Sequence, residues 1–119
     1  MTLSASSIQR VLRLLGLGVR GRGAVVGVQQ VREAAKRNKV VLAVVASDAS
    51  PNSLDKLRPL LNARRVRFIE VPSAAELGAA VGREQTAVVG IVDRQLAAGV
   101  NALVASDLES DKKGPEEAV

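Results

Sequence analysis

The 119-residue sequence has no cysteine, no histidine, no tryptophan, no tyrosine and one phenylalanine. Each gap removes a class of chemistry. Without cysteine there is no disulfide, and without cysteine and histidine the usual zinc ligand sets cannot be assembled. The same two gaps exclude Ser–His and Cys–His nucleophilic pairs. With tyrosine also missing, general acid–base catalysis has few groups left to use. Modules that hold single-stranded nucleic acid stack bases on several aromatic rings, and one phenylalanine, Phe68, cannot supply them. The segment IQRVLRLL, 8–15, is too short and too interrupted by arginine for a signal peptide or a membrane span, and no later stretch reaches span length without a charge or a turn signal. The expectation is a cytoplasmic, non-catalytic protein with no cofactor and no membrane partner.

What is present is aliphatic. Apolar residues make up 47% of the chain, a globular composition rather than a disordered one. The length suits one domain with a single core. We place that domain at 1–106 and expect residues 107–119 to form a disordered acidic tail. The net charge of +5 is unevenly spread. Residues 1–39 hold eight Lys/Arg and one acid, 8 − 1 = +7, whereas residues 107–119 hold two Lys and five acids, 2 − 5 = −3. A basic front half points to a polyanionic partner.

Hydrophobic periodicity divides the chain into nine elements. Ile8, Val11, Leu12 and Leu15 mark a helix over 4–15, capped by serine and ended by Gly16. GLGVRGRG, 16–23, reads as a flexible basic loop, followed by a short strand AVV, 24–26. A helix over 27–37 turns Val28, Val31 and Ala35 inward, with Asn38 as a left-handed C-terminal residue. VVLAVVA, 40–46, is apolar on both faces and reads as a central strand. Ser50-Pro51 starts a helix marked by Leu54, Leu57 and Leu61, which Pro59 should bend or shorten. VRFIEV, 66–71, is a strand, and Ser73 with Glu76 has capping-box spacing for a helix over 74–81. TAVVGIV, 86–92, is a buried strand, and Asp93 caps a last helix through Leu96, Val100, Leu103 and Val104. Alternation of this kind implies a sheet with helices on both faces.

GLGVRG, 16–21, matches the letters of a dinucleotide fingerprint. That motif works between a strand and the helix whose N-terminus holds a pyrophosphate; here a helix precedes it, so the match is rejected. Asp48 and Asp93 both follow buried strands and would share a sheet edge, where α/β sites gather. Each also has a structural use, Asp93 as a helix cap and Asp48 as a turn residue. More telling is GVQQVREAAKRNK, 27–39. It opens with a glycine and two amides where acids usually suit the helix dipole, and Arg32, Lys36 and Lys39 follow along one face. Gln29 and Gln30 carry donors and acceptors that fit a base edge. Arg20, Arg22, Arg32 and Lys36 would reach phosphates. Two glutamines on a helix surface are equally well ordinary helix formers.

The run LLGLGVRGRGAVVGVQQVREAAKRNKVVLAVVASDASPN, with FIEVPSAAELGAAVGREQTAVVGIVD after it, resembles the ribosomal protein L7Ae/L30e superfamily, and within it the bacterial ribosomal-protein-like branch. The similarity spans about residues 12–104 and is strongest in VVLAVVASDASPN and in VPSAAELGAAVG, which follows an L-G-x-A-x-G pattern. The resemblance implies a three-layer α/β/α sandwich with a mixed four-stranded sheet. It also implies an RNA-binding module for kink-turn or ribosomal RNA, monomeric and associated with the ribosome or translation. The family's contact motif, a glycine and a polar tetrad at the start of the second helix, falls on Gly27, Val28, Gln29, Gln30 and Glu33. The family's second contact loop falls on residues 83–87, and the resemblance puts contacts there on Arg83, Gln85 and Thr86. Two positions depart: Val28 stands where the family has a small polar residue, and Glu33 where it has lysine. A carboxylate there repels guanine O6 and phosphate, so the alternative is an adaptor of the same fold that no longer reads kink-turns.

Overall fold

The computed structural model describes residues 3–117, with side chains as far as residue 106. The elements are α1 (Ala5–Arg20), β1 (Ala24–Val26), α2 (Val28–Lys36), β2 (Leu42–Ala46), α3 (Pro51–Ala63), β3 (Arg67–Val71), α4 (Ala74–Ala80), β4 (Val88–Ile91) and α5 (Arg94–Glu117). The four strands form one sheet in the order β1-β4-β2-β3. β2 and β3 are parallel, whereas β4 runs antiparallel to both of its neighbours, β1 and β2.

β2 is buried at every residue, as an unbroken aliphatic run requires. Its side chains alternate between two cores. Leu42, Val44 and Ala46 face Val11, Leu12 and Leu15 of α1, Leu77 of α4 and Val100 of α5. Ala43 and Val45 face Val31 and Ala35 of α2 and Leu54, Leu57 and Leu61 of α3. Helices thus cover both faces, and the three-layer sandwich with a mixed four-stranded sheet is the observed architecture.

The caps behave as the sequence implies. Ser4, Ser50 and Ser73 each accept a hydrogen bond from the backbone N–H three residues on. Asp93 Oδ1 accepts from Gln95 N at 2.9 Å. Asn38 takes the left-handed conformation, φ 59°.

Two expectations are corrected. The helix expected to stop at Gly16 continues to Arg20, so GLGV is helical and the loop shrinks to residues 21–23. The glycines there serve packing: a Cβ on Gly16 would lie 2.6 Å from the Ala80 carbonyl oxygen, and one on Gly18 would run into Leu96. They let α4 and α5 approach the α1 backbone. Pro59 does not shorten α3, which runs through it to Ala63. Pro59 is exposed, and so is Asp55, the residue whose carbonyl loses its helical donor. The backbone of α5 runs on to Glu117. No Gly or Pro interrupts the chain between Ser106 and Gly114. The side chains expected to make an acidic tail, 107–119, lie outside the described ones. Among the described residues no helix is long and apolar enough to cross a membrane.

The Gly16 contact is open to a direct test. Helix propensity favours alanine over glycine by about 1 kcal/mol, whereas forcing a methyl group into a packed contact costs about 1–3 kcal/mol. At 2.6 Å from a backbone atom the clash wins, and Gly16→Ala should lower the unfolding free energy in urea. A gain in stability would show that 16–20 is not packed as described.

Candidate nucleic-acid interface

The antiparallel course of β4 decides which connections meet. β1 and β2 finish, and β4 starts, at one end of the sheet: Val26 pairs with Val89 and Val45 with Val88. Gly27 N donates to Val88 O at 3.0 Å, and Ala46 N donates to Ala87 O at 2.8 Å. The N-terminus of α2 and the connection before β4 therefore lie side by side, although some 60 residues separate them in the chain.

Gly27 is the N-cap of α2, with φ 97° and ψ 156°. That region is essentially restricted to glycine. A Cβ there would meet nothing within 4 Å, so backbone conformation, not space, calls for glycine. With no side chain, Gly27 makes no capping bond, and α2 carries no acid in its first turn. The first-turn N–H groups are thus left for solvent or a ligand at the positive end of the helix dipole. Gln29 and Gln30 are exposed at this tip, and Val28 is half-buried. Glu33 is also exposed. It lies one turn below both amides, at i+4 from Gln29 and i+3 from Gln30. Arg32 is half-buried, and its Nε is covered without a hydrogen-bond partner. Lys36 is exposed in the last turn of α2, and Lys39 lies beyond the helix, so the expected face of three cations does not continue.

The connection from α4 to β4 folds back along α4. Gly78 makes this possible, because a Cβ on it would lie 2.6 Å from Gln85 N; that is the physical content of the L-G-x-A-x-G pattern. Arg83 and Gln85 are exposed in this connection. Thr86 is not available: it is 8% exposed, its Oγ1 donates to Val88 O and its N donates to Ala74 O. Its role is to hold the connection in place.

Arg20 and Arg22 do not join the tip. They flank the turn into β1, at the end of the sheet where Ala24 pairs with Ile91, opposite to Gly27. The same antiparallel pairing separates Asp48 from Asp93. Asp48 follows the last residue of β2, whereas Asp93 follows Ile91, which pairs with the first residue of β2. The two carboxylates stand at opposite ends of the strands and cannot share a cleft. Asp48 has a use that its loop setting alone did not reveal: Oδ1 accepts from Ala74 N at 2.7 Å, tying the loop after β2 to the start of α4. The sequence signal was present in SDASPN, but its partner lies 26 residues on. Among the described residues no acidic cluster could hold a metal ion.

Comparison with known proteins bears on family and fold. Residues 9–101 match the family described as ribosomal protein L7Ae/L30e/S12e/Gadd45. A curated relative, RNA-binding protein YlxQ of Bacillus subtilis (strain 168), is 33% identical over 84 residues, 71% of this chain and 84% of its own. A solved structure of a protein with unknown function from Bacillus halodurans C is 29% identical with a TM-score of 0.73, covering 80% of this chain and 96% of that one. The Giardia lamblia 15.5kD RNA binding protein has the same fold, with a TM-score of 0.73 at 21% identity over 89% of this chain and 91% of its own.

The conformation at the tip sets a measurable expectation. Gly27→Ala should cost about 1–3 kcal/mol of stability through backbone strain alone, read from urea or thermal unfolding. An unchanged midpoint would mean that residue 27 does not hold φ 97°.

Proposed function

We propose a function for this chain, which belongs to the ribosomal protein L7Ae/L30e/S12e/Gadd45 family. Within that family it acts as a non-catalytic RNA-binding protein that recognises a bent, kink-turn-like duplex with the N-terminus of α2. The observation that carries this reading is the uncapped tip itself. Gly27 supplies no side-chain cap to the first turn, Gln29 and Gln30 stand exposed beside it, and the connection bearing Arg83 and Gln85 is hydrogen-bonded alongside. The name of the relative at 33% identity, an RNA-binding protein, supports it.

On this reading Gln30 faces a guanine edge, Gln29 a neighbouring base, and Arg83 and Gln85 contact the backbone of the bent strand. The sharp bend supplies specificity through shape, since RNA duplexes expose little in their deep groove. The protein would serve in the cytoplasm, monomeric and in association with the ribosome or translation. Exposed Glu33 favours a second reading, in which the fold is kept and kink-turn affinity is weak or absent, leaving an adaptor. A carboxylate one turn below both amides is repulsive toward guanine O6 and toward phosphate.

A titration against a kink-turn duplex and a straight duplex of equal length separates the two. Specific recognition predicts tighter binding to the bent RNA and a loss of about 1–3 kcal/mol for Gln30→Ala on that RNA alone. Equal affinity for both duplexes would reject the specific mode. Glu33→Lys should tighten the bent complex; if the native chain shows no preference and Glu33→Lys creates one, the adaptor reading holds.

A further inference from the structure

The two ends of the sheet differ sharply in charge. The connections at the α2 tip are residues 27, 47–50, 72–73 and 81–87. They hold Arg83 against Asp48 and Glu84, 1 − 2 = −1. The connections at the opposite pole are residues 21–23, 37–41, 64–66 and 92–93. They hold Arg22, Arg37, Lys39, Arg64 and Arg65 against Asp93, 5 − 1 = +4. Arg67, the first residue of β3, adds to the same pole. All six of these cations are exposed. The one carboxylate there, Asp93, is engaged as the cap of α5. Among the described residues the one ion pair, Arg58 with Glu70, involves none of them.

Helix dipoles account for some of this charge, since α1, α2 and α3 all end at this pole and a cation in a last turn is favourable. Arg20 and Lys36 already occupy the last turns of α1 and α2, and Arg64 is the C-cap of α3. The others are surplus to that need. Arg22 and Arg65 also hold left-handed conformations, φ 62° and 56°, which non-glycine residues seldom adopt. Arg64 Nη1 donates to Asn38 Oδ1 at 3.2 Å, joining the turns after α2 and α3. The pole is as wide as the four-stranded sheet, about 14 Å across.

We propose that this pole is a second RNA-binding surface, which grips the phosphate backbone of a duplex without reading its sequence, at the opposite end of the sheet from the α2 tip. Arginine outnumbers lysine here, and the guanidinium fork suits phosphate oxygens. No aromatic side chain is exposed, so bases are not stacked. A protein partner would need buried apolar anchors, and the pole offers one exposed large apolar side chain, Val41. The proposal stands independently of base reading at Gln29 and Gln30. It places two RNA contacts on one small domain, so that a bent RNA held at the tip leaves the pole free for a second helical segment.

The test uses a straight RNA duplex of about 16 base pairs, the span of a double-stranded RNA-binding module. Binding is titrated between about 50 and 200 mM salt. The variant Arg37→Gln/Lys39→Gln/Arg67→Gln removes three charges from the pole. The control Arg10→Gln/Arg13→Gln/Lys56→Gln removes three from elsewhere. The pole variant should flatten the slope of log affinity against log salt by about 2–3, with less than about 1 for the control. The charge-preserving Arg37→Lys/Arg67→Lys should keep the native slope, which rules out loss by misfolding. Gln30→Ala should leave the straight-duplex slope unchanged, so failure of base reading at the tip and failure of this proposal are told apart. Equal losses in the pole variant and the control, or no loss in the pole variant, overturn it. So does tighter binding to phosphatidylserine-containing vesicles than to the duplex at equal salt, which would assign the surface to a membrane.

Discussion

The organisation of this molecule depends on one strand running against its neighbours. β4 is inserted between β1 and β2 and is antiparallel to both. Because it enters the sheet where β1 and β2 leave it, the connection before β4 is brought against the N-terminus of α2. Because it exits at the other end, α5 starts beside the end of α1. Every functional statement about this chain follows from which loops this reversal gathers. It joins Gly27 to the connection carrying Arg83 and Gln85. It also sets Asp48 and Asp93 at opposite ends, so these two carboxylates do not pair.

Close backbone approach is the second constraint. Gly16 and Gly18 lie within α1 and admit Ala80 and Leu96, so a segment with the letters of a nucleotide-binding loop is in fact a helix–helix contact. Gly78 admits the backbone of Gln85, and Thr86 then spends its hydroxyl and amide inside the fold. The glycine-rich character of the chain is in these places a record of packing. At Gly27 it is a record of conformation, and there the consequence reaches the surface, because an uncapped helix start stands open to solvent.

Charge and hydrogen-bonding capacity are segregated between the two ends of the sheet. The α2 end offers amides, free N–H groups and little net charge, with Glu33 exposed among them. The other end offers arginine and lysine with few counter-charges. Long-range attraction to a polyanion and short-range discrimination of bases are different physical tasks. The first scales with the number of phosphates neutralised, the second with the geometry of donors and acceptors. A fold that separates them can be steered by one surface and select with the other.

Much was legible in the residues taken one segment at a time. The aliphatic run of β2 dictates a central strand, because no polar face is left for water. Ser4, Ser50, Ser73 and Asp93 announce helix starts, since each side chain bonds within three residues of itself. The family resemblance in 12–104 brought the layer order. What local signals could not decide was anything resting on a partner distant in the chain. Whether Gly16 ends a helix depends on Ala80. Whether Thr86 faces RNA depends on Val88 and Ala74. Whether Arg20 and Arg22 serve the tip, and whether Arg37, Lys39 and Arg67 form one surface, depends on the direction of β4. Short-range periodicity and capping are written in adjacent residues, whereas strand direction and backbone contact exist only once the chain has closed on itself.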